Sequence, residues 1–274
     1  MYVKVSGMFL KETEVCGNNV ILKLTDGGEE EKVTLSADDF YAFRLHSGME
    51  IDTERYREIK AAAEKTAVFA KCLHKLTAHD RSVREMKDWL SDNLKISDSL
   101  RDEMIQRLER LGWLDDERYC REQITAMKNS LKGEKLIRDT LLRKGISPRL
   151  IDDCLRTFDD EADNARRCAE KILRSRTGSS LRKTREEIRT KLMQRGYSVA
   201  LAAETAEHLD YSGLAEKQDD NLRAGMRKTE KRLSRKYSGY ELRSRLYRWG
   251  LQQGYAADVI NAVLDEMESE YEED

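Results

Sequence analysis

A ten-residue word recurs along this chain at a nearly constant interval. It reads Ile146-Ser147-Pro148-Arg149-Leu150-Ile151-Asp152-Asp153-Cys154-Leu155, then Tyr197-Ser198-Val199-Ala200-Leu201-Ala202-Ala203-Glu204-Thr205-Ala206, then Tyr255-Ala256-Ala257-Asp258-Val259-Ile260-Asn261-Ala262-Val263-Leu264, with a weaker copy from Ile96. The starts at 96, 146, 197 and 255 lie 50, 51 and 58 residues apart. A unit of that length cannot bury its apolar face alone, so the period predicts helical units stacked in tandem, not one enzyme core. Stacked units make long surfaces, and long surfaces suit long partners.

The punctuation around each word predicts its local structure. Gly145 can end one helix in the left-handed conformation, Ser147 can cap the next and Pro148 suits its first position. Ile146 is placed to staple onto Ile151. Gly196-Tyr197-Ser198 and Gly254-Tyr255 repeat that logic. Gly112-Trp113-Leu114-Asp115 is a further stop, anchor and cap, with Asp116 and Glu117 in the following first turn. The expected helices are 116–130, 133–144 and 148–158, then 160–176, 181–195 and 199–209, then 214–236, 240–253 and 257–270. Leu100, Leu150, Leu201 and Val259, with Leu108, Phe158, Leu209 and Met267, form the expected third-helix core stripes.

Residues 1–52 read differently. Tyr2–Phe9, Asn19–Leu24 and Lys32–Leu35 are short β-branched runs, Thr25-Asp26-Gly27-Gly28 is a turn, and Ser36-Ala37-Asp38-Asp39 can cap a short helix ending near Gly48. This segment carries a net charge of −5 and reads as a packing cap on the first repeat. The fold expected is mainly α: an elongated tandem array of three-helix repeats behind a small β-containing segment. Its divisions are 1–52, then repeats at 53–111, 112–158, 159–212 and 213–274, the last with an acidic tail.

Composition excludes several classes. Of 274 residues 37% are charged and 7% aromatic, with one proline, which suits solvated helices better than sheets. No run of 18 apolar residues is present, and Met1–Ser6 lacks a signal peptide's apolar core, so a cytoplasmic protein is expected. The five cysteines have scattered spacings and no C-x-x-C pair, which argues against a disulfide framework; Cys72, Cys120 and Cys154 fall on apolar helix faces. No phosphate-loop, dinucleotide, nucleophile-elbow or zinc-helix motif occurs, so neither a catalytic residue nor a cofactor is expected. His74 and His79 are five apart, about 140° around a helix, and share no face for a metal. The acid pairs Asp115-Asp116, Asp152-Asp153, Asp159-Asp160 and Asp219-Asp220 mostly stand in or near expected first turns, where negative charge needs no chemistry to explain it.

Charge is segregated by helix. Arg166–Arg195 holds eleven basic and three acidic residues, Arg223–Arg248 ten and two, and Arg118–Lys144 eight and three. Ala256–Asp274 holds eight acidic residues and no basic one. A solvated face explains any one of these helices. Recurrence in three successive repeats points instead to a basic stripe for a polyanion or an acidic groove.

The stretch Leu111-Gly112-Trp113-Leu114-Asp115-Asp116-Glu117-Arg118-Tyr119, followed by Lys144-Gly145-Ile146, resembles the RecX regulatory family. That family carries a Gly-aromatic-Leu-Asp-Asp-x-Arg-Tyr/Phe-Ala segment and then Leu-x-x-Lys-Gly-Ile; here Cys120 stands where alanine is usual. The resemblance covers 110–155 well, and the repeat logic extends it over about 53–270. It implies a non-enzymatic modulator of the RecA recombinase, built of tandem three-helix bundles. Such proteins lie in the groove of the RecA–single-stranded DNA filament and suppress strand exchange and co-protease function in DNA repair and the SOS response. Carried over, the motif residues are Asp115, Asp116, Arg118 and Tyr119. Asp115 and Tyr119 read first as cap and core, and Arg118 first as a contact. The basic stripe adds Lys144, Arg182, Lys183, Arg185, Arg189, Arg232, Arg235, Lys236, Arg243 and Arg245 as partner-binding candidates. The expected partner is the RecA filament, with single-stranded or duplex DNA as a second, for a monomer away from any membrane. The alternative is an independent nucleic-acid-binding helical-repeat protein using the same stripe.

Overall fold

The computed structural model describes residues 8–26, 28–158, 160–175, 179–215 and 217–272. Tyr2–Gly7 of the expected first strand, Gly27 of the turn, Asp159, Arg176 and the tail from Glu273 lie outside the described residues. The chain divides into two compact units, Met1–Tyr119 and Cys120–Asp274.

In the first unit, strands β1 (Met8–Cys16), β2 (Asn19–Thr25), β3 (Glu30–Ser36) and β4 (Glu50–Ile51) form an antiparallel sheet in the order β3-β2-β1-β4. Val20, Leu22 and Leu24 of β2 and Val33 and Leu35 of β3 alternate onto the buried face. The first strand runs well beyond Phe9, where the β-branched pattern stops. Its polar stretch pairs all the same: Glu12 lies opposite Lys23 and accepts its ammonium at 2.5 Å, a cross-strand pair on the solvent side. Helix α1 (Ala37–Ala42) is capped as expected, with Ser36 Oγ accepting from the Asp39 amide at 3.1 Å. It ends earlier than Gly48, because the chain turns through Arg44 at φ 49° and buries Leu45.

Helices α2 (Thr53–Ala78), α3 (Val83–Asn93) and α4 (Asp98–Arg110) complete this unit. The long α2 serves two cores. Its Ile59 and Ala62 close the sheet's apolar face, while Val68, Cys72 and Leu76 pack with Met86, Leu90, Met104 and Leu108 of α3 and α4. Thr66 marks the changeover, donating to the Ala62 carbonyl and accepting from the Ser36 amide at 3.2 Å. The sheet's core therefore reaches past residue 52 into α2.

Helix α5 (Asp116–Asn129) begins in the first unit and continues into the second, which holds α6 (Glu134–Arg143), α7 (Pro148–Leu155), α8 (Glu161–Arg174), α9 (Leu181–Gln194), α10 (Val199–His208), α11 (Ser212–Ala215), α12 (Gln218–Leu233), α13 (Gly239–Gln252) and α14 (Ala257–Glu272). Serine oxygens hold the third amide of α7, α9 and α10 at 3.2–3.3 Å, each such cap contributing about 1 kcal/mol. The helix expected at 214–236 is broken into α11 and α12. Tyr211 and Leu214 pack in the core of α8–α10, whereas Leu222 and Met226 pack in the core of α12–α14, and the chain leaves the helix between them. The third-helix stripes are also displaced. Leu150, Leu201 and Val259 are half-buried at the rim, and the fully covered residues lie one further on, at Ile151, Ala202 and Ile260. Leu100, Leu108 and Met267 are buried as expected.

Successive triplets join through helix ends. The first amides of a helix have no partner within it. At α6, the Gly133 amide donates to the Arg195 carbonyl at 2.8 Å and the Lys135 amide to the Gly196 carbonyl at 3.1 Å, both acceptors lying just beyond the end of α9. Glu161 of α8 accepts from the Glu134 amide at 3.0 Å. The same joint recurs at α9, whose cap residue Ser180 donates its amide to the Gln253 carbonyl at 3.1 Å. Such proximity needs glycine. A Cβ on Gly196, which sits at φ 93°, would stand 2.4 Å from Leu136 Cβ.

Gly196→Ala therefore combines left-handed strain with a clash, and should lower unfolding free energy by about 2–4 kcal/mol in urea titrations. Gly112, at φ 70° with nothing within 4 Å of an added Cβ, supplies the control. Gly112→Ala should cost only about 1 kcal/mol, and equal losses would contradict the joint.

Candidate partner-binding surface

The turn from α4 into α5 is built from the motif residues. Asp115 accepts from the Glu117 and Arg118 amides, each at 3.0 Å, and so caps α5. Asp116 reaches back and accepts from the Val83 amide at 2.9 Å, at the start of α3. Burial pushes the Asp116 carboxyl above its usual range; the Val83 amide opposes this, and the neighbouring charges of Asp115 and Glu85 add to it. Tyr119 is buried and donates its hydroxyl to Glu85 at 3.1 Å, while Glu85 also closes a capping box with Ser82. Two motif residues, Asp116 and Tyr119, thus lock the turn onto α3, while Asp115 caps α5. Arg118 points outward and is exposed, as are Leu111 at 57% and Trp113 at 42%.

The basic candidates divide into two sets. Lys144 is half-buried beside Gly145. Lys183 is turned to the Gln252 carbonyl at 2.8 Å and to Gln253 Oε1 at 3.1 Å, and so belongs to the joint between α9 and α13. Arg185 stacks over the Tyr211 ring and meets Glu207 at 3.4 Å. Arg243 is held by Asp265 and Glu268 of α14, both at 2.6 Å, and these carboxylates push its pKa further up. Arg245 covers the Tyr237 ring at 3.6 Å and pairs with Glu241. Arg182, Arg189, Arg232, Arg235 and Lys236 are exposed, Arg189 meeting Glu186 one turn back. Among the described residues no cluster of His, Cys, Asp or Glu is suited to a metal, and no helix is long and apolar enough to cross a membrane.

No family model matches the chain. Individual proteins do. Regulatory protein RecX of Streptococcus gordonii is 28% identical over 247 residues, covering 89% of this chain and 94% of its own length. The protein of the same name from Streptococcus equi subsp. equi is 29% identical over 250 residues, and that from Oceanobacillus iheyensis 23% over 251. A solved crystal structure of regulatory protein RecX aligns over all of its own chain and 73% of this one, with a TM-score of 0.60 at 21% identity, which gives the fold. This chain is similar to proteins named regulatory protein RecX.

Within that RecX likeness, the motif that carries it is mostly structural here: Asp115 is consumed by the α5 cap, and Asp116 and Tyr119 by the contact with α3. Residue counting also overlooked Lys228 and Trp249. Both line a groove between α12 and α13 with Arg232, and the signal for Lys228 was its four-residue spacing from Arg232 on one helix face. The two sets of arginines make different predictions. Arg243→Glu loses two ion pairs and sets like charges together, so it should destabilise by about 1–2 kcal/mol. Arg235→Glu should stay within about 0.5 kcal/mol of the parent. Urea midpoints measure both, and matching values would show that the α13–α14 pairs contribute nothing.

Proposed function

We propose that this chain is a non-enzymatic regulator that binds along the RecA–single-stranded DNA filament and inhibits its recombinase and co-protease activity. Likeness over about nine-tenths of the chain to proteins named for regulation supports the class. The observation that carries the mode of action is which of the candidate cations stay open once internal pairing among the described residues is complete: Arg118, Arg182, Arg232, Arg235 and Lys236. Exposed cations on successive helix triplets meet a periodic acidic partner at several points, and weak contacts multiplied along a filament give strong attachment. In this reading the sheet segment 1–52 precedes four repeats, at 53–111, 112–158, 159–212 and 213–274, and the protein works as a cytoplasmic monomer. Arg118, Arg182, Arg235 and Lys236 make contact, while Asp116, Lys144, Lys183, Arg185, Arg243 and Arg245 hold the contact surface in place.

The test is co-sedimentation with RecA–single-stranded DNA filaments alongside RecA strand exchange, using the variant Arg118→Glu/Arg182→Glu/Arg235→Glu/Lys236→Glu. Filament affinity should fall more than tenfold and inhibition should disappear, with an unchanged melting curve. Inhibition at parental concentrations by a normally folded variant would refute the proposed surface.

A further inference from the structure

One face of α12 is basic and opens on a groove. Asn221, Gly225, Lys228 and Arg232 recur at helical spacing, and α13 supplies Trp249 and Gln253 across from them. The groove has a volume of about 610 Å³ and its lining contains no carboxylate. Its cations are uncompensated for a structural reason. Three acids of α14 are committed elsewhere, Glu266 to Arg223 and Asp265 and Glu268 to Arg243. Among the described residues Lys228 and Arg232 carry no ion pair with any acid. Gly225 shapes the groove: a Cβ there would stand 2.4 Å from the outer edge of the Trp249 indole, so glycine lets the ring lie close against the α12 backbone. Mid-helix glycine costs about 1 kcal/mol relative to alanine, and here it places an aromatic ring beside two free cations.

We infer that this groove is a binding site for single-stranded nucleic acid. Its chemistry fits the strand in each part. Lys228 and Arg232 suit adjacent phosphates, and the indole offers a stacking platform to an unpaired base; the Asn221 carboxamide donates and accepts, while Gln253, whose Oε1 is taken by Lys183, keeps its amide donor. A duplex keeps its bases stacked inside and cannot offer one to the ring. An acidic peptide would use the cations and the carboxamides but has no base to stack on the indole. The inference deepens the filament reading, on which it rests for the strand's setting, by assigning this groove to the DNA strand and not to the recombinase.

The experiment uses the full chain and a labelled single-stranded oligodeoxythymidine without RecA, followed by fluorescence anisotropy across a salt series. A failure here leaves the filament assay standing by itself. Lys228→Glu/Arg232→Glu should weaken binding at least tenfold and reduce the log–log salt slope by about 1.4, the value for two lost phosphate contacts. Urea midpoints monitor folding, and Lys228→Gln/Arg232→Gln, expected to weaken binding several-fold, serves if the reversal unfolds the helix. In a Trp89→Phe/Trp113→Phe background, the remaining Trp249 emission should be quenched by the oligonucleotide. Unchanged affinity in a folded double variant, or absence of quenching, overturns the assignment. So does equal binding of duplex DNA, which marks an undifferentiated polyanion surface, or of polyglutamate, which marks an acidic protein partner.

Discussion

The first turn of an α-helix presents amides that its own backbone cannot satisfy, and the second compact unit is organised around that deficit. At α6 the cap position is glycine and offers no side-chain oxygen. The carbonyls of Arg195 and Gly196 and the carboxylate of Glu161 take the amides of Gly133, Lys135 and Glu134 instead. The contact sets the carbonyl end of α9 against the amide end of α6, so the partial charges of the two helices attract. It is also demanding, because a Cβ on Gly133 would lie 2.4 Å from the Tyr197 backbone nitrogen. Stacking here is therefore specified by backbone polarity as well as by apolar burial. Each joint fixes where the next basic helix stands.

Electrostatics follow from that scaffold. The acid-rich α14 neutralises one side of α12 and α13 through Arg223 and Arg243, and leaves the other side of α12 positive. Local pairing consumes Arg185 and Arg245, whose guanidinium groups also lie over tyrosine rings. A count of basic residues per helix overstates the open charge. The exposed set is smaller and falls at helix ends and on one face of α12.

Much of this was legible in the sequence because its causes are local. Serine caps, the glycine stops and the proline at the start of α7 act within a few residues, and the helices from α5 onward lie close to their expected ranges, apart from the break before α12. What was hidden depends on distant neighbours. Nothing local marks Gly133 or Gly225 as a point of close approach, since the groups that crowd them lie tens of residues away. Asp116 looks like a dipole partner for α5 but spends its carboxylate on α3. Lys183 looks like an open cation but is drawn to the end of α13. Strand β1 escaped recognition over Lys11–Glu14 because its stabilising pairs come from another strand.

Native-state hydrogen exchange tests the joint most directly. The amides of Gly133 and Lys135 stand where helices usually exchange fast, yet each has a carbonyl partner beyond its own helix. Tyr240 and Glu241 are first-turn amides of α13, where the cap residue Ser238 makes no side-chain hydrogen bond. Gly133 and Lys135 should exchange only when the surrounding unit opens, orders of magnitude more slowly than Tyr240 and Glu241. Comparable fast exchange at all four amides would contradict it.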